Sequence, residues 1–399
     1  MSTSETIIRL AAKGDGVSAS GRHIAGAVPG DMVDAGGAII SGPHHTNPAC
    51  RHFATCGGCQ LQHADDTVLA DFVQDRVVNA ARGQGLEPEE LLPVHLSPPH
   101  TRRRAGLHGL RTAKGAVLGY REGGSHRVVD LAECPVLHPA LAALIAPLRK
   151  FVAAHGPKGM VGIDLTLADQ GVEAGLTNFP FEGLEPTEAA LDFAREQGLA
   201  RLTIDQGYGP ETLWEPEPVT VTLSGVPVSL PPGAFLQATQ DAEARMAADA
   251  AAWLNEARIV ADLFAGLGTF AFALRQGRKV LAVEAERAAH LACKTAGALS
   301  KETVLALHRD LFRSPLQPDE LARFDAMLLD PPRAGARAQV AEIAASTLSR
   351  VVYVSCNPSS WARDAATLTE AGFRLTKLRP VGQFRWSTHV ELVSLFTRP

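Results

Sequence analysis

The sequence predicts an α/β protein with a doubly wound domain over residues 226–399, an α+β domain over 46–225 and a small β-barrel-like segment over 1–45. In the last region apolar β-branched runs alternate with helical patterns, which is typical of a mostly parallel sheet covered by helices. The middle region has short apolar runs between Gly-rich turns, which indicates an antiparallel sheet. The first region has shorter β-type runs broken by glycine and by the turn "VPGD", as small barrels have.

Composition indicates an ordinary globular chain. Of 399 residues, 46% are hydrophobic and 20% are charged, close to the average of soluble domains. The sequence has no apolar run of about 18 residues, and "MSTSETIIRL" lacks the charged and apolar regions of a signal peptide. We therefore expect a cytoplasmic monomer with no membrane partner. The formal net charge of −5 argues against indiscriminate nucleic-acid coating, although it is compatible with a local basic groove.

The doubly wound domain contains six predicted strands. They are the runs "RIVADLF", "KVLAVE", "TVLALHRD", "FDAMLLD", "RVVYVSC" and "HVELVSLF". The carboxyl ends of parallel strands meet at one sheet edge, where ligands bind in open α/β folds. The residues that end these strands are therefore the first candidates for a functional site.

The first strand leads into a glycine-rich turn, "ADLFAGLGTFAFAL". Gly266 and Gly268 let the backbone pass close under a ligand, and a helix is expected from about Thr269. Glu284 closes the second strand, where a carboxylate can accept both hydroxyls of a ribose, and Asp310 closes the third. The pattern predicts an adenosyl site, with a dinucleotide site or plain strand-to-helix packing as alternatives.

The fourth strand ends in "MLLDPPRAGA". Asp330 lies at the carboxyl edge, and the two prolines behind it stiffen an extended exit that cannot continue the ladder. An acid followed by two prolines at this place is a feature of S-adenosylmethionine enzymes that hold a planar base. A surface turn is the simpler alternative.

The last two strands contribute a thiol and a carboxylate. Cys356 ends the strand in "VVYVSCNPSS", so it faces the same crevice as Asp330 and is either a nucleophile or a small packing residue. Glu391 lies in the apolar run of "STHVELVSLF". Burial would raise its pKa and suit it to proton transfer, or it is a satisfied structural acid.

Four of the six cysteines lie in the first third of the chain, namely Cys50, Cys56, Cys59 and Cys134. Without a secretory signal they are expected to be metal ligands or reduced thiols rather than disulfides. Zinc sites more often bring two short C-x-x-C pairs, whereas a proline after Cys134 fits an iron–sulfur ligand. Zinc remains the alternative. Cys293, in a helical pattern, is interpreted as a packing residue.

These motifs together resemble the S-adenosylmethionine-dependent RNA uracil-5-methyltransferase family. The matching pieces of the last domain are "FLQATQ", "DLFAGLGTF", "DPPRAG", "SCNP" and "HVE". "CRHFATCGGCQLQH" with "AECPVL" resembles the four-cysteine [4Fe–4S] site of the iron–sulfur branch, and "IIRLAAKGDGVS" with "VPGDMV" resembles its RNA-binding N-terminal barrel. The resemblance covers nearly the whole chain and implies a class I, Rossmann-like methyltransferase domain.

The resemblance also implies roles for residues. Cys356 would attack C6 of a uracil, and Glu391 would remove the proton from C5 after methyl transfer. S-adenosylmethionine would be lined by Gln237, Phe264, Gly266, Gly268, Thr269, Glu284 and Asp310, with Asp330 beside both cofactor and base. The cysteines Cys50, Cys56, Cys59 and Cys134 would hold the [4Fe–4S] cluster. Four features depart from the family pattern: the N-terminal barrel is short, Thr239 and Thr269 stand where asparagine is frequent, and Arg385 stands where proline is usual.

The RNA partner is expected to be large-subunit ribosomal RNA, because the iron–sulfur branch resembles ribosomal-RNA enzymes, with the transfer-RNA T-loop as the second choice. An amino-group nucleic-acid methyltransferase and a noncatalytic RNA-binding protein are the rival functions. A basic series on the middle region forms either a phosphate-contacting strip or a solvated face; it comprises Arg102, Arg103, Arg104, Arg121 and Arg127.

Overall fold

The computed structural model describes residues 4–181, 183–301 and 303–399. Its first part is an antiparallel half-barrel sheet in the order β3-β2-β1-β4-β5. The strands are β1 (Glu5–Leu10), β2 (Gly16–Ser18), β3 (His23–Ile24), β4 (Met32–Val33) and β5 (Ile39–Ile40). Ile7, Ala27 and Val33 form its small core, so the predicted N-terminal β segment is present.

A connecting segment follows the cysteine-rich loop. It contains the helix α1 (Asp66–Arg82) and the short strands β6 (Glu90–Leu91) and β7 (His95–Leu96). Asp65 caps the helix, its side chain accepting a hydrogen bond from the amide of Val68 at 2.9 Å, and Val68, Phe72 and Val77 are among the side chains on its buried face. An amphipathic helix of this kind is stabilised mainly by the surface that it covers.

The middle sheet has the order β13-β12-β11-β10-β8-β9. Its elements are β8 (Arg104–Thr112), β9 (Gly115–Gly119), α2 (Pro139–Ala143), α3 (Ile145–His155), β10 (Met160–Ala168), β11 (Gly171–Thr177), α4 (Leu184–Glu196), β12 (Arg201–Asp205) and β13 (Pro210–Trp214). The predicted antiparallel pairing is present except between β11 and β12, which are parallel. The helix α4 makes that crossover possible, since parallel neighbours need a long connection.

The C-terminal part begins with the hairpin β14 (Thr220–Leu223) and β15 (Val226–Ser229). The remaining elements are α5 (Gln240–Trp253), β16 (Ile259–Leu263), α6 (Thr269–Leu274), β17 (Lys279–Glu284), α7 (Arg287–Leu299), β18 (Val304–His308), α8 (Pro318–Leu321), β19 (Ala326–Leu329), α9 (Arg337–Ala345), β20 (Arg350–Ser355), α10 (Pro358–Glu370), β21 (Arg374–Gly382) and β22 (Glu391–Thr397). The helices cover both faces of one large sheet.

The order of the large sheet is β18-β17-β16-β19-β20-β22-β21, followed by β6 and β7. The strands β16 to β20 pair in parallel, whereas β22 is antiparallel to both of its neighbours. The six predicted strands are all present. The sequence missed β21, because its charged residues and its proline at position 380 hide the strand pattern.

Two segments lie elsewhere than the predicted domain limits suggest. The residues from α1 to β7, grouped with the middle domain by sequence, pack on the C-terminal sheet, where β6 and β7 pair with β21. The hairpin of β14 and β15 spans the predicted limit at residue 225, and its apolar side chains join the C-terminal core. None of the described helices is both long and apolar enough to cross a membrane.

Candidate active site

Cys356 and Glu391 face each other at the carboxyl edge of the large sheet. Ser355, the last residue of β20, pairs with Leu392 on β22, so one further step of the same antiparallel register sets Cys356 opposite Glu391. Residues opposite each other on antiparallel strands have Cβ atoms about 4.5–5.5 Å apart. Asn357 then caps α10 by accepting a hydrogen bond from the amide of Ser359 at 3.1 Å, which fixes the chain where it leaves the strand.

The thiol of Cys356 lies partly buried among charged groups. The pKa of this thiol is raised to about 11, chiefly by burial and then by the carboxylates of Glu391 and Asp330, while the guanidinium of Arg333 acts to lower it. Without a ligand the group is therefore a neutral thiol at pH 7. Arg333 is the nearby cation that favours its ionised form.

Glu391 is enclosed by the protein, with only 3% of its surface exposed. Burial raises the pKa of Glu391 to about 7, against a hydrogen bond from Gln383 and the charge of Arg333, which lower it. A carboxyl group that titrates near neutral pH can accept and release a proton during turnover.

A chain of side-chain amides connects the two buried carboxyl groups. The amide nitrogen of Gln237 donates to Asp330 at 3.2 Å, and that of Gln383 donates to the amide oxygen of Gln237 at 3.0 Å. Gln383 in turn accepts from the backbone amide of Ala238 at 2.9 Å and hydrogen-bonds Glu391. Sequence reasoning missed Gln383, although the stretch "GQFRW", where the family pattern fails, was the available signal.

Asp330 follows β19 directly, and its backbone amide donates to the carbonyl of Leu263 at 3.1 Å. The residue is partly buried, and its carboxyl group accepts a hydrogen bond from Gln237. Burial raises the pKa of Asp330 well above its usual range, and the carboxylates of Glu391 and Asp262 raise it further. The predicted meeting of Asp330, Cys356 and Glu391 at one edge is therefore present.

The glycine-rich turn after β16 has the backbone conformation of a cradle. Gly266 and Gly268 have positive φ angles of 55° and 92°, and Phe264 has a φ of 63°, a left-handed conformation that is uncommon outside glycine. A Cβ at Gly268 would approach Cys293 Sγ to 2.8 Å. Cys293 is buried there in the core, as its helical pattern indicated. The helix α6 begins at Thr269, where the sequence predicted it.

The carboxylate of Glu284 connects this turn to the chain that follows β17. One carboxylate oxygen accepts from the amide of Gly266 at 2.8 Å, and the other accepts from the amides of Ala285 and Glu286 at 2.8 and 2.7 Å. Asp310 lies beyond the next strand end, where its carboxylate accepts from the amide of Phe312 at 2.9 Å. The two acids thus lie at neighbouring strand ends on the same edge.

Asp262 is a second residue that the sequence left unnoticed. It lies on β16 beneath the glycine turn and has no exposed surface. Burial raises the pKa of Asp262 to about 8, and the carboxylate of Glu284 adds to the shift. Asp262 lies within the strand "IVADL", before its carboxyl end, and the sequence pattern directed attention to the residues that end the strands.

The four cysteines of the first third line one cavity of about 450 Å³, and they are Cys50, Cys56, Cys59 and Cys134. Burial raises the pKa of each thiol. The pKa of Cys59 is raised to about 12, chiefly by burial and partly by the charges of the other three cysteines. In the part of the chain that the structure describes, no group of three or more His, Cys, Asp or Glu residues has an arrangement that could hold a metal ion.

The predicted arginine series does not form one strip. Arg103 is buried and paired with Glu243, so it is a structural residue and its assignment as a phosphate contact was wrong. Arg127 pairs with Glu122 at 3.6 Å, and Arg104 packs over the ring of Phe235. Arg102 lies over the ring of Phe384 at 5.2 Å and lines the same cavity as the four cysteines.

Arg333 also lines that cavity and contacts His389 Nδ1 at 2.9 Å. Burial lowers the pKa of His389, and the charges of Arg333, Arg102 and Arg76 lower it further. Among the described residues, none of these three arginines forms an ion pair with a carboxylate. A group of three cations, Arg76, Arg102 and Arg333, therefore lies around His389.

Comparisons with known proteins agree with this geometry. The tRNA (Uracil-5-)-methyltransferase family model matches residues 228–398. A Zymomonas mobilis protein described as an uncharacterized RNA methyltransferase is 50% identical over 394 residues, 98% of this chain and 99% of the relative. A 23S rRNA (uracil(1939)-C(5))-methyltransferase of Pectobacterium carotovorum is 34% identical over 370 residues, 90% of this chain and 82% of the relative.

A solved structure shares the fold along the full length of both chains. It is the Pyrococcus abyssi tRNA (uracil-54, C5)-methyltransferase in complex with S-adenosyl-L-homocysteine, which is 20% identical and superposes with a TM-score of 0.76. The family that the sequence motifs indicated is thus confirmed by full-length relatives. The chain belongs to the RNA uracil-5-methyltransferase family, and it methylates C5 of uracil in RNA with S-adenosylmethionine as the methyl donor.

Proposed function

We propose that the substrate is a uridine of large-subunit ribosomal RNA and that Cys356 bonds covalently to C6 of its base. The relative that acts on 23S rRNA is 34% identical over most of this chain, which supports ribosomal RNA over transfer RNA. The covalent route is supported by the register that sets Cys356 opposite Glu391 at the sheet edge. That placement is the observation on which the mechanism rests.

Cys356 supplies the activation that C5 of uracil lacks. C5 is a poor nucleophile, and addition of a thiolate to C6 converts the ring into an enolate with electron density at C5. Loss of the thiol proton is opposed by burial and by two carboxylates and is favoured by Arg333. Asn357 fixes the chain next to Cys356 by accepting a hydrogen bond from the amide of Ser359. A bound RNA base would therefore meet a thiol whose position is already set.

Glu391 completes the reaction as a base. S-adenosylmethionine supplies the methyl group that C5 acquires. The carboxylate of Glu391 then takes the proton from C5, the C5–C6 double bond reforms, and the bond between C6 and the sulfur breaks to restore the Cys356 thiolate. A pKa of about 7 for Glu391 lets it accept that proton and pass it to solvent in the same cycle.

The residues that fit the methyl donor lie along the strand ends that precede Cys356. The positive-φ glycine turn leaves room for close approach of a ligand, and Glu284 is held at the ribose position by three backbone amides. Asp330 and Gln237, hydrogen-bonded to each other, lie between donor and base. The residues proposed to line the donor are Gln237, Phe264, Gly266, Gly268, Thr269, Glu284, Asp310 and Asp330.

The cysteine cavity is proposed to hold a [4Fe–4S] cluster. Four thiol groups from two distant segments of the chain line one cavity, and four thiolates are the usual ligand set of such a cluster. Because the described side chains do not themselves form a metal-binding arrangement, the proposal rests on the cysteine set and the cavity that its members share. Iron binds the deprotonated thiolates. Binding of a cluster would therefore lower the pKa values that burial raises in the free cysteines. Bound iron would tie residues 50–59 to Cys134 on the middle domain.

The cations around His389 are proposed to contact RNA. Arg76, Arg102 and Arg333 have no carboxylate partner among the described residues, and phosphate groups are the anions that RNA brings. Phe384, held between Arg102 and His389, offers an aromatic face on which an unpaired base can stack.

Two measurements test the proposal. Mass-spectrometric mapping of 5-methyluridine in ribosomal and transfer RNA, from cells with and without the gene, identifies the substrate; loss from transfer RNA alone would contradict the ribosomal assignment. RNA carrying 5-fluorouridine at the mapped position should form a stable adduct, because fluorine cannot leave as a proton. Peptide mapping of that adduct should find RNA on Cys356, and any other residue would refute the covalent route.

A further inference from the structure

The loop between β21 and β22 is held by the cysteine-rich loop. The backbone amides of Gln60 and Leu61 both donate to the carbonyl oxygen of Trp386, at 2.7 and 2.9 Å. The side chain of Gln60 adds a second connection, since its oxygen accepts from the amide of Thr388 at 3.4 Å and its nitrogen donates to the carbonyl of Gly57 at 2.8 Å.

Trp386 itself requires this support. Its φ of 62° is a left-handed conformation that costs energy for a bulky side chain and persists only when the surroundings impose it. The indole is 8% exposed, with the guanidinium of Arg385 over its ring at 5.0 Å. Arg385, the residue that departs from the family pattern, also pairs with Asp66 and donates to the carbonyl of Ser97 at 3.2 Å.

The position of Trp386 determines the position of the residues around it. Gln383 lies three residues before it and Glu391 five residues after it, and both belong to the amide-carboxyl chain of the site. Cys356, by contrast, follows β20, which β19 holds on its other side, and Asn357 fixes the chain behind it by capping α10. A displacement of the loop would therefore move the carboxylate more than the thiol.

We propose that the segment Gly57–Leu61 positions Glu391, with Gln60 as a positioning residue for proton removal. This inference rests on the proposed role of Glu391 as the base. The cysteine-rich loop would thereby affect the rate of proton removal in addition to stabilising the fold. Because misplacement of a reacting group by about 1 Å can slow a step a hundredfold, loosening the loop slows removal of the C5 proton and leaves attack by Cys356 nearly unchanged.

The variant Gln60→Ala tests this coupling, and Gln84→Ala, at an exposed glutamine after α1, is the matched control. Hydrogen exchange followed by mass spectrometry should show roughly tenfold faster exchange over residues 383–391 in Gln60→Ala, as expected for the loss of two hydrogen bonds. Exchange in β20 should not change. The control should match the wild-type protein in both regions.

The chemical step is measured with two RNA probes. Adduct formation with 5-fluorouridine RNA reports thiol attack and should stay within about twofold of wild type in Gln60→Ala. Ribosomal RNA from a strain lacking the gene should give a methylated protein–RNA adduct that persists about tenfold longer, because proton removal is slow.

Unchanged exchange over residues 383–391 in Gln60→Ala would overturn the proposal. Attack and release slowed by the same factor would overturn it too, since that pattern indicates general loosening of the site. The exchange result does not depend on the chemistry, whereas Glu391→Gln tests the base directly. Failure of the proposed function and failure of the coupling are therefore distinguishable.

Discussion

Replacing Glu391 by glutamine should stabilise the protein at alkaline pH. Burial raises the pKa of Glu391 from 4.5 to about 7, so the folded state binds its proton more tightly than the unfolded state. The favourable contribution of this group is full below pH 4.5 and is lost as the pH rises through 7. Above pH 7 the buried charge costs about 3 kcal/mol, from about 1.4 kcal/mol per pKa unit.

Glutamine keeps the shape and the hydrogen-bond acceptor for Gln383 but cannot ionise. Glu391→Gln should therefore raise the free energy of unfolding relative to wild type by about 3 kcal/mol at pH 8.5 and by about 1 kcal/mol at pH 5. Urea unfolding at the two pH values, followed by tryptophan fluorescence, measures the difference. Trp361, fully buried against Phe396, reports on the C-terminal sheet.

The control is Glu370→Gln, at an exposed glutamate in the last turn of α10. Its difference from wild type should be small and the same at both pH values. If Glu391→Gln gains less than about 1 kcal/mol between pH 5 and pH 8.5, Glu391 is not held in its neutral form. The argument that burial poises this carboxyl group for proton transfer would then be wrong.

Four further outcomes are expected. Glu391→Gln should accumulate a methylated protein–RNA adduct, visible as a slow band on denaturing gels, and normal turnover would exclude this base. Cys356→Ala should retain RNA and S-adenosylmethionine binding in equilibrium titrations while losing methyl transfer by several orders of magnitude, whereas Cys293→Ala should remain active; near-normal transfer by Cys356→Ala would make this cysteine structural. Protein purified without oxygen should be brown, with iron and sulfide of about four each per chain, and stoichiometric zinc without sulfide would contradict the cluster. Arg102→Gln should lower the slope of log affinity against log salt for a uridine dodecamer by about 0.7, compared with no change for Arg127→Gln; equal slopes would place Arg102 outside the RNA path.

The sequence predicted those parts of the site that local pattern determines. Gly266, Glu284, Asp330 and Cys356 each end a recognisable strand, and parallel pairing brings such ends to one edge. Strand pattern also predicted the six strands of the large sheet that have apolar runs. Since these features depend on neighbours in sequence, no knowledge of distant contacts was required.

Contacts between distant segments could not be predicted in this way. Gln383 has a function only because Gln237, 146 residues away, offers its amide oxygen. Arg103 appears to be a surface cation by composition, but Glu243 from α5 pairs with it inside the protein. Likewise β21 is a strand because β22 pairs with it along its length, and this pairing overrides its charged and proline-containing sequence.

Contacts between distant segments also determine the pKa values of the acidic groups in the site. Asp262, Asp330 and Glu391 each have a raised pKa chiefly because the fold buries them, and neighbouring carboxylates add to the shift at Asp262 and Asp330. A cationic sulfonium bound beside them would favour their ionised forms, since an opposite charge lowers a carboxyl pKa. Arg333 lowers the pKa of Cys356, and Arg333 and Arg102 line the cysteine cavity without carboxylate partners among the described residues. In the proposed binding mode the acids would lie beside the cationic methyl donor and the arginines beside the RNA phosphates, so the charges of the site would match those of its two substrates.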